Sequence, residues 1–172
     1  MWDMQWQFPS RWSPVFLYLL GATGSVICLQ AQVNASTIVP SGTLAHERTL
    51  MAGSFAREKL IRWQKRLNLQ DWTITVEVSR ASELKPKTLG NIHWDLDKKT
   101  AVIRVLDPAD YHMPTMQAML DDVEFTVVHE LIHLEMAPVL ADMQRNEANR
   151  REEEYAVNRM AEALLKLDRA GQ

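Results

Sequence analysis

The pattern His129-Glu130-Leu131-Ile132-His133 constrains this chain more than any other stretch, because it sets three ionisable side chains inside an otherwise apolar helical run, Val127, Val128, Leu131, Ile132 and Leu134. Burying unpaired ionisable groups is costly, so a fold that accepts this helix must give them partners. On an α-helix the i, i+4 spacing turns the second side chain only about 40° from the first, so His129 and His133 leave one face a turn apart and can grip one ion. Glu130 follows the first histidine and is placed to reach a water on that ion, not the ion itself. A zinc ion lowers the pKa of its bound water to roughly 7, and a neighbouring carboxylate then serves as general base. The expected chemistry is hydrolysis through a metal-activated water, with Glu130 catalytic and Zn2+ as cofactor.

Such a site needs three protein ligands and one open position. The chain has one cysteine, Cys28, which lies in an apolar N-terminal run, so thiolate ligands are excluded for the folded part. No histidine follows His133, and Met136 and Val139 stand where an extended HExxHxxGxxH pattern would carry Gly and His. The third ligand is therefore expected from a downstream carboxylate, and the run Glu152, Glu153, Glu154 supplies three candidates. Glu152 reads as a solvated acid favoured at a helix start.

At this point the sequence resembles the glutamate-zincins, in which HExxH is followed by a glutamate ligand on a second helix. The local likeness is to small ImmA/IrrE-type metallopeptidases, whose second helix carries E-x-x-A-N-x-F-A. Glu154-Tyr155-Ala156-Val157-Asn158-Arg159-Met160-Ala161 fits that form, with Val for Ala and Met for Phe. The resemblance selects Glu154 as the metal ligand, with Glu153 in reserve, and puts Asn158 where it would hydrogen-bond a ligating histidine. It implies an α+β minimal zincin-like fold: an N-terminal helix, a small, mostly antiparallel sheet, an active-site helix and a C-terminal ligand helix. It also implies a peptide or protein substrate, added as a strand to an edge at Gly90–Asp95 or Thr100–Leu106. Donors for the oxyanion would come from His93, Tyr111, His112 or Tyr155. A hydrolase of other amide bonds, such as cell-wall peptides, and a non-catalytic zinc-binding interaction or sensor module are the alternatives; only Glu130, which ligation does not require, speaks against the second.

Local patterns support that element order. Leu50, Phe55, Leu60, Trp63 and Leu67 mark an amphipathic helix over 44–67, with Arg57, Lys59, Arg62, Lys65 and Arg66 between them as a solvated basic face. Trp72 to Val78 alternates as a strand, and 90–94 and 100–106 are strand-like around the polar loop Asp95-Leu96-Asp97-Lys98-Lys99. Residues 111–119 read as a short helix or irregular connection. Asp121, three residues before Glu124, reads as the start of the motif helix, Pro138 as its end near Ala137, and 146–167 as a final helix.

The 172 residues, 47% hydrophobic, suffice for one domain, expected at 44–172 after a linker at 36–43. With 19 basic and 22 acidic residues the net charge is -3, which gives no field for nucleic acid. The apolar run Val15–Leu29 is shorter than the roughly 20 residues of a membrane span. Arg11 precedes it and Val33-Asn34-Ala35 follows with signal-peptidase spacing, so residues 1–35 read as a signal peptide and the protein as exported, without stable membrane insertion after cleavage. An uncleaved anchor and a cytosolic chain starting at Met51 are the alternatives.

Overall fold

A computed structural model describes residues 41–144 and 146–171. The expected signal peptide and residues 36–40 of the expected linker lie outside them. Helix α1 spans Ser41–Arg66, so the linker's last three residues are helical. Strands β1 (Thr73–Ser79), β2 (Gly90–Asp95) and β3 (Thr100–Leu106) follow, then helices α2 (Met116–Leu140) and α3 (Glu147–Ala170). The protein is α+β: α1 and α2 pack against a three-stranded sheet, and α3 packs against α2.

The sheet is mixed. Its order is β1-β3-β2; β2 and β3 form the expected antiparallel hairpin, but β1 runs parallel to β3, with Val76 opposite Ile103. The expectation of a mostly antiparallel sheet fails on that pair. The reason lies in β3, which buries Ala101, Ile103, Val105 and Leu106 and so takes the centre, where both of its backbone edges are paired. β1 and β2 carry more polar positions and take the edges. Thr100–Leu106, one of the two edges expected to take a substrate, is therefore central, while Gly90–Asp95 is an edge strand among the described residues.

Strand alternation and register together define two faces. Ile74, Val76 and Val78, then Ala101, Ile103 and Val105, then Gly90, Ile92 and Trp94 share the face turned to the helices. Glu77, Arg104, Asn91 and His93 share the other. Gly90 is required by close approach, since a Cβ there would stand 2.4 Å from Thr126 Cγ2 of α2 and 2.5 Å from the Arg104 carbonyl oxygen.

α1 buries Ala52, Ala56, Leu60 and Trp63, an i, i+4, i+8, i+11 stripe. It ends in a Schellman-type turn: Leu69 N donates to Gln64 O, Asn68 N donates to Lys65 O, and Asn68 adopts the left-handed conformation at φ 56°. One member of its expected solvated basic face is not solvated. Lys59 is 9% exposed, its Nζ 3.3 Å from Glu124 Oε1 of α2, which also accepts the Trp63 indole N–H at 2.9 Å.

α2 is buried on every side of its middle turns, where each residue from Thr126 to Leu134 is withdrawn from solvent. It starts earlier than expected, at a Thr115 cap whose side chain accepts from Ala118 N at 3.1 Å. Asp121 instead accepts from Gln117 and Arg169. Pro138 lies within the last turn and does not stop the helix before Leu140. α3 is capped by Asn146, which accepts from Asn149 N, and buries Val157, Ala161 and Leu165. Asp168 near its end is held by Arg62, at 2.7 Å, and by Arg66, both of α1.

Candidate metal centre

The cap at Asn146 and the buried stripe Val157, Ala161, Leu165 fix the rotation of α3, and this brings Glu153 and Glu154 against the histidines of α2. Consecutive residues on a helix diverge by about 100°, so the two glutamates straddle His133. Glu153 Oε1 lies 3.0 Å from Nδ1, and Glu154 Oε2 lies 3.5 Å from Nε2. His133 Nε2 in turn lies 3.0 Å from His129 Nε2, which is 3.3 Å from Glu154 Oε2.

Three lone-pair donors thus converge: His129 Nε2, His133 Nε2 and Glu154 Oε2, with separations of 3.0, 3.3 and 3.5 Å. Ligands about 2.0–2.1 Å from a tetrahedral ion are about 3.3–3.4 Å apart, so the triangle fits a single small cation. Two imidazole nitrogens this close cannot both offer lone pairs unless a proton or a cation lies between them. Glu130 completes a buried group, His129, Glu130 and His133, whose ligand atoms lie within 4.8 Å of one another and could hold a metal ion. His129, Glu130 and His133 are each at most 8% exposed, while the Glu154 side chain is 43% exposed and opens the site to solvent.

The electrostatics separate the two carboxylates. Burial pushes Glu130 up to about 7; His129 and Lys85 oppose the rise and the Glu154 charge adds to it. Burial also acts to raise Glu154, but the hydrogen bonds and charges of His129 and His133 outweigh it and hold this carboxyl well below the usual range.

Glu153, the reserve ligand of the sequence reading, is on the outer nitrogen of His133, away from the triangle. Its side chain is only 8% exposed. It makes the contact expected of Asn158, whose Oδ1 is buried with no hydrogen-bond partner; His129 Nδ1 is likewise buried and unpartnered. Glu152 is exposed, as its reading as a solvated acid requires.

None of the four oxyanion candidates hydrogen-bonds an atom of the triangle. His93 is exposed on the sheet face turned from the helices. Tyr111 is pushed up to about 12 by burial, and the charges acting on it are Asp122, Arg48 and Asp107, none of them in the site. His112 is exposed in a loop, and Tyr155 is 60% exposed with the Arg159 guanidinium 5.7 Å from its ring centre. Lys85, in the loop before β2, is not marked by the sequence because no spacing links it to the motif, yet its charge reaches Glu130.

What fold and site define is an α+β protein with a buried histidine–glutamate group able to hold a metal ion. Comparison with family models, with curated proteins and with solved structures finds no match for the chain.

Proposed function

We propose that this protein is a zinc-dependent hydrolase, a peptidase in which His129, His133 and Glu154 hold Zn2+ and Glu130 is the general base. The observation that carries the reading is the triangle of donor atoms with a second, buried carboxylate beside it. Two imidazoles and one carboxylate form a donor set suited to zinc, and three protein ligands leave a fourth position open. When bound, zinc polarises the scissile carbonyl and brings the pKa of water down to roughly 7.

Each residue then has a distinct task. Glu130, whose affinity for a proton is raised to about 7, takes the proton of the attacking water and passes it to the departing amine. Glu154, held ionised, supplies the negative charge that balances a cation. Glu153 accepts from His133 Nδ1–H, which commits Nε2 as the free lone pair. β2, an edge strand among the described residues whose helix-facing side lies along α2, offers its outer backbone edge to an extended peptide.

The test measures bound metal and chelator-sensitive cleavage of a mixed peptide pool for the wild type and Glu130→Gln. One zinc in each protein, with cleavage by the wild type alone, is the expected outcome. Zinc in both with no cleavage of any peptide would replace the enzyme reading by a zinc-binding module. Among the described residues no helix is long and apolar enough to cross a membrane. Export is part of the same proposal, and the N-terminal residue of protein isolated from its own source decides it: a start near Ser36 supports export, and a start at Met1 or Met51 excludes cleavage of a signal.

A further inference from the structure

Beside the donor triangle the fold leaves a cavity of about 200 Å³. Trp94 and Leu96 at the end of β2 form one wall, and Ala137, Leu140 and Ala141 at the end of α2 form another. His133 and Glu153 reach it from the metal side. The Glu153 carboxylate is turned to His133 Nδ1 at 3.0 Å, so the remaining surface is mostly hydrocarbon. An apolar cavity of about 150 Å³ holds a benzene molecule, so this volume suits one aromatic or long aliphatic side chain and not a whole small-molecule ligand.

Its place relative to β2 fixes which side chain. β2 runs along α2 in the same direction: Gly90 stands against Thr126, while Trp94 and Leu96 share the cavity with His133 and Ala137. The two elements keep step, since about five residues of strand and eleven of helix each advance roughly 16 Å. A peptide pairing antiparallel to the outer edge of β2, the more stable pairing, runs the other way. Its residues N-terminal to the cleaved bond therefore lie at the Trp94 end.

We propose that the cavity of Trp94, Leu96, Ala137, Leu140 and Ala141 is a specificity pocket for a large apolar side chain on the residue that supplies the acyl group of the cleaved bond. The inference rests on the zinc peptidase reading, because it needs the carbonyl at the triangle and the side chain in the cavity beside it. It makes Ala137 and Ala141 size-determining positions: one helical turn apart, they leave space that a longer side chain would fill.

Product-like acids test the pocket without turnover. N-acetyl-L-phenylalanine, N-acetyl-L-leucine and N-acetylglycine are titrated calorimetrically into the zinc-loaded full chain carrying Glu130→Gln. The phenylalanine and leucine acids are expected to bind at least about tenfold more tightly than the glycine acid. Adding Ala141→Trp, at an exposed position on the rim, should reduce that preference to about twofold or less with N-acetylglycine affinity unchanged. Leu96→Gln, outside the strand, is the second variant and should weaken only the apolar acids. Equal binding of the three acids, no binding of any, or a preference that survives both variants overturns the pocket while bound zinc leaves the metal site standing. Failure to take up zinc at all overturns the metal reading and the pocket with it.

Discussion

Helix α2 carries buried charge at two places only five residues apart, and they behave differently. At Glu124 the carboxylate meets a buried ammonium, Lys59, and an indole N–H, Trp63, so its charge is balanced and its oxygens are served. At His129 to His133 three carboxylates, Glu130, Glu153 and Glu154, surround two imidazoles, and three of the atoms present their lone pairs to one point. Burial of ionisable groups is common to both, so burial alone does not mark function. Charge balance and donor direction separate them: the first place is complete as protein, and the second is a group able to hold a metal ion.

The largest expected effect separates chemistry from ligation within the second place. Glu130→Gln should lower kcat/KM on the peptide pool by roughly 10²–10⁴-fold while leaving zinc content and the unfolding midpoint close to wild type. A loss of zinc instead would make Glu130 a ligand and remove the general base. At the first place the effect should fall on stability. Lys59→Met strands the Glu124 carboxylate and is expected to cost about 3–5 kcal/mol in urea unfolding with zinc affinity unchanged. Combining it with Glu124→Gln, which keeps an acceptor for Trp63, should recover most of that loss. If Lys59→Met weakens zinc as strongly as it weakens the fold, the two places are one network and the contrast between them fails.

The sequence makes the second place legible and leaves the first hidden. A metal-binding pattern has fixed local spacing, so His129, Glu130 and His133 can be read from periodicity, and α3 follows from a stripe that the structure buries at Val157, Ala161 and Leu165. Lys59 and Glu124 are far apart in the chain, with nothing local to couple them, and Lys59 on an amphipathic helix reads as solvated until α2 is laid against it. The parallel pairing of β1 with β3 is hidden for the same reason, because period-two alternation is identical in parallel and antiparallel strands. Cap choice is local yet ambiguous: Asp121 with Glu124 reads as a helix start, but Thr115 gives α2 an earlier one and places Glu124 in the core.

Glu153 sharpens the comparison from inside the site. As an acceptor for His133 Nδ1 it should act on zinc affinity and not on turnover of loaded protein. Glu153→Ala is expected to weaken zinc binding by roughly 10–100-fold, read by competition with a chelator of known affinity, while kcat at saturating zinc stays within a few-fold of wild type. Glu154→Ala should weaken binding further and expose the ion to an additional water. A larger loss from Glu153→Ala than from Glu154→Ala would exchange their roles.

Asp122, also on α2, shows what a half-buried carboxylate costs without either solution. Burial, with the neighbouring Asp121 charge, pushes it up to about 6, against about 3.9 in an unfolded chain. As pH falls from neutral through 6, the folded state takes up this proton before the unfolded state does. Asp122 therefore lowers stability at pH 7 and above, and the deficit disappears as pH falls toward 4. Because the residue is partly open to water, screening reduces the effect to about 1 kcal/mol. Asp122→Asn should thus be more stable than wild type by about that amount in urea at pH 7.5, with the difference shrinking steadily at pH 6 and 5. Taking the difference between the two proteins at each pH cancels the titration of Glu130, which both share. An Asn variant less stable than wild type at pH 7.5 would mean that ionised Asp122 has a favourable partner, and that an excess of carboxylates along α2 is not by itself a demand for a cation.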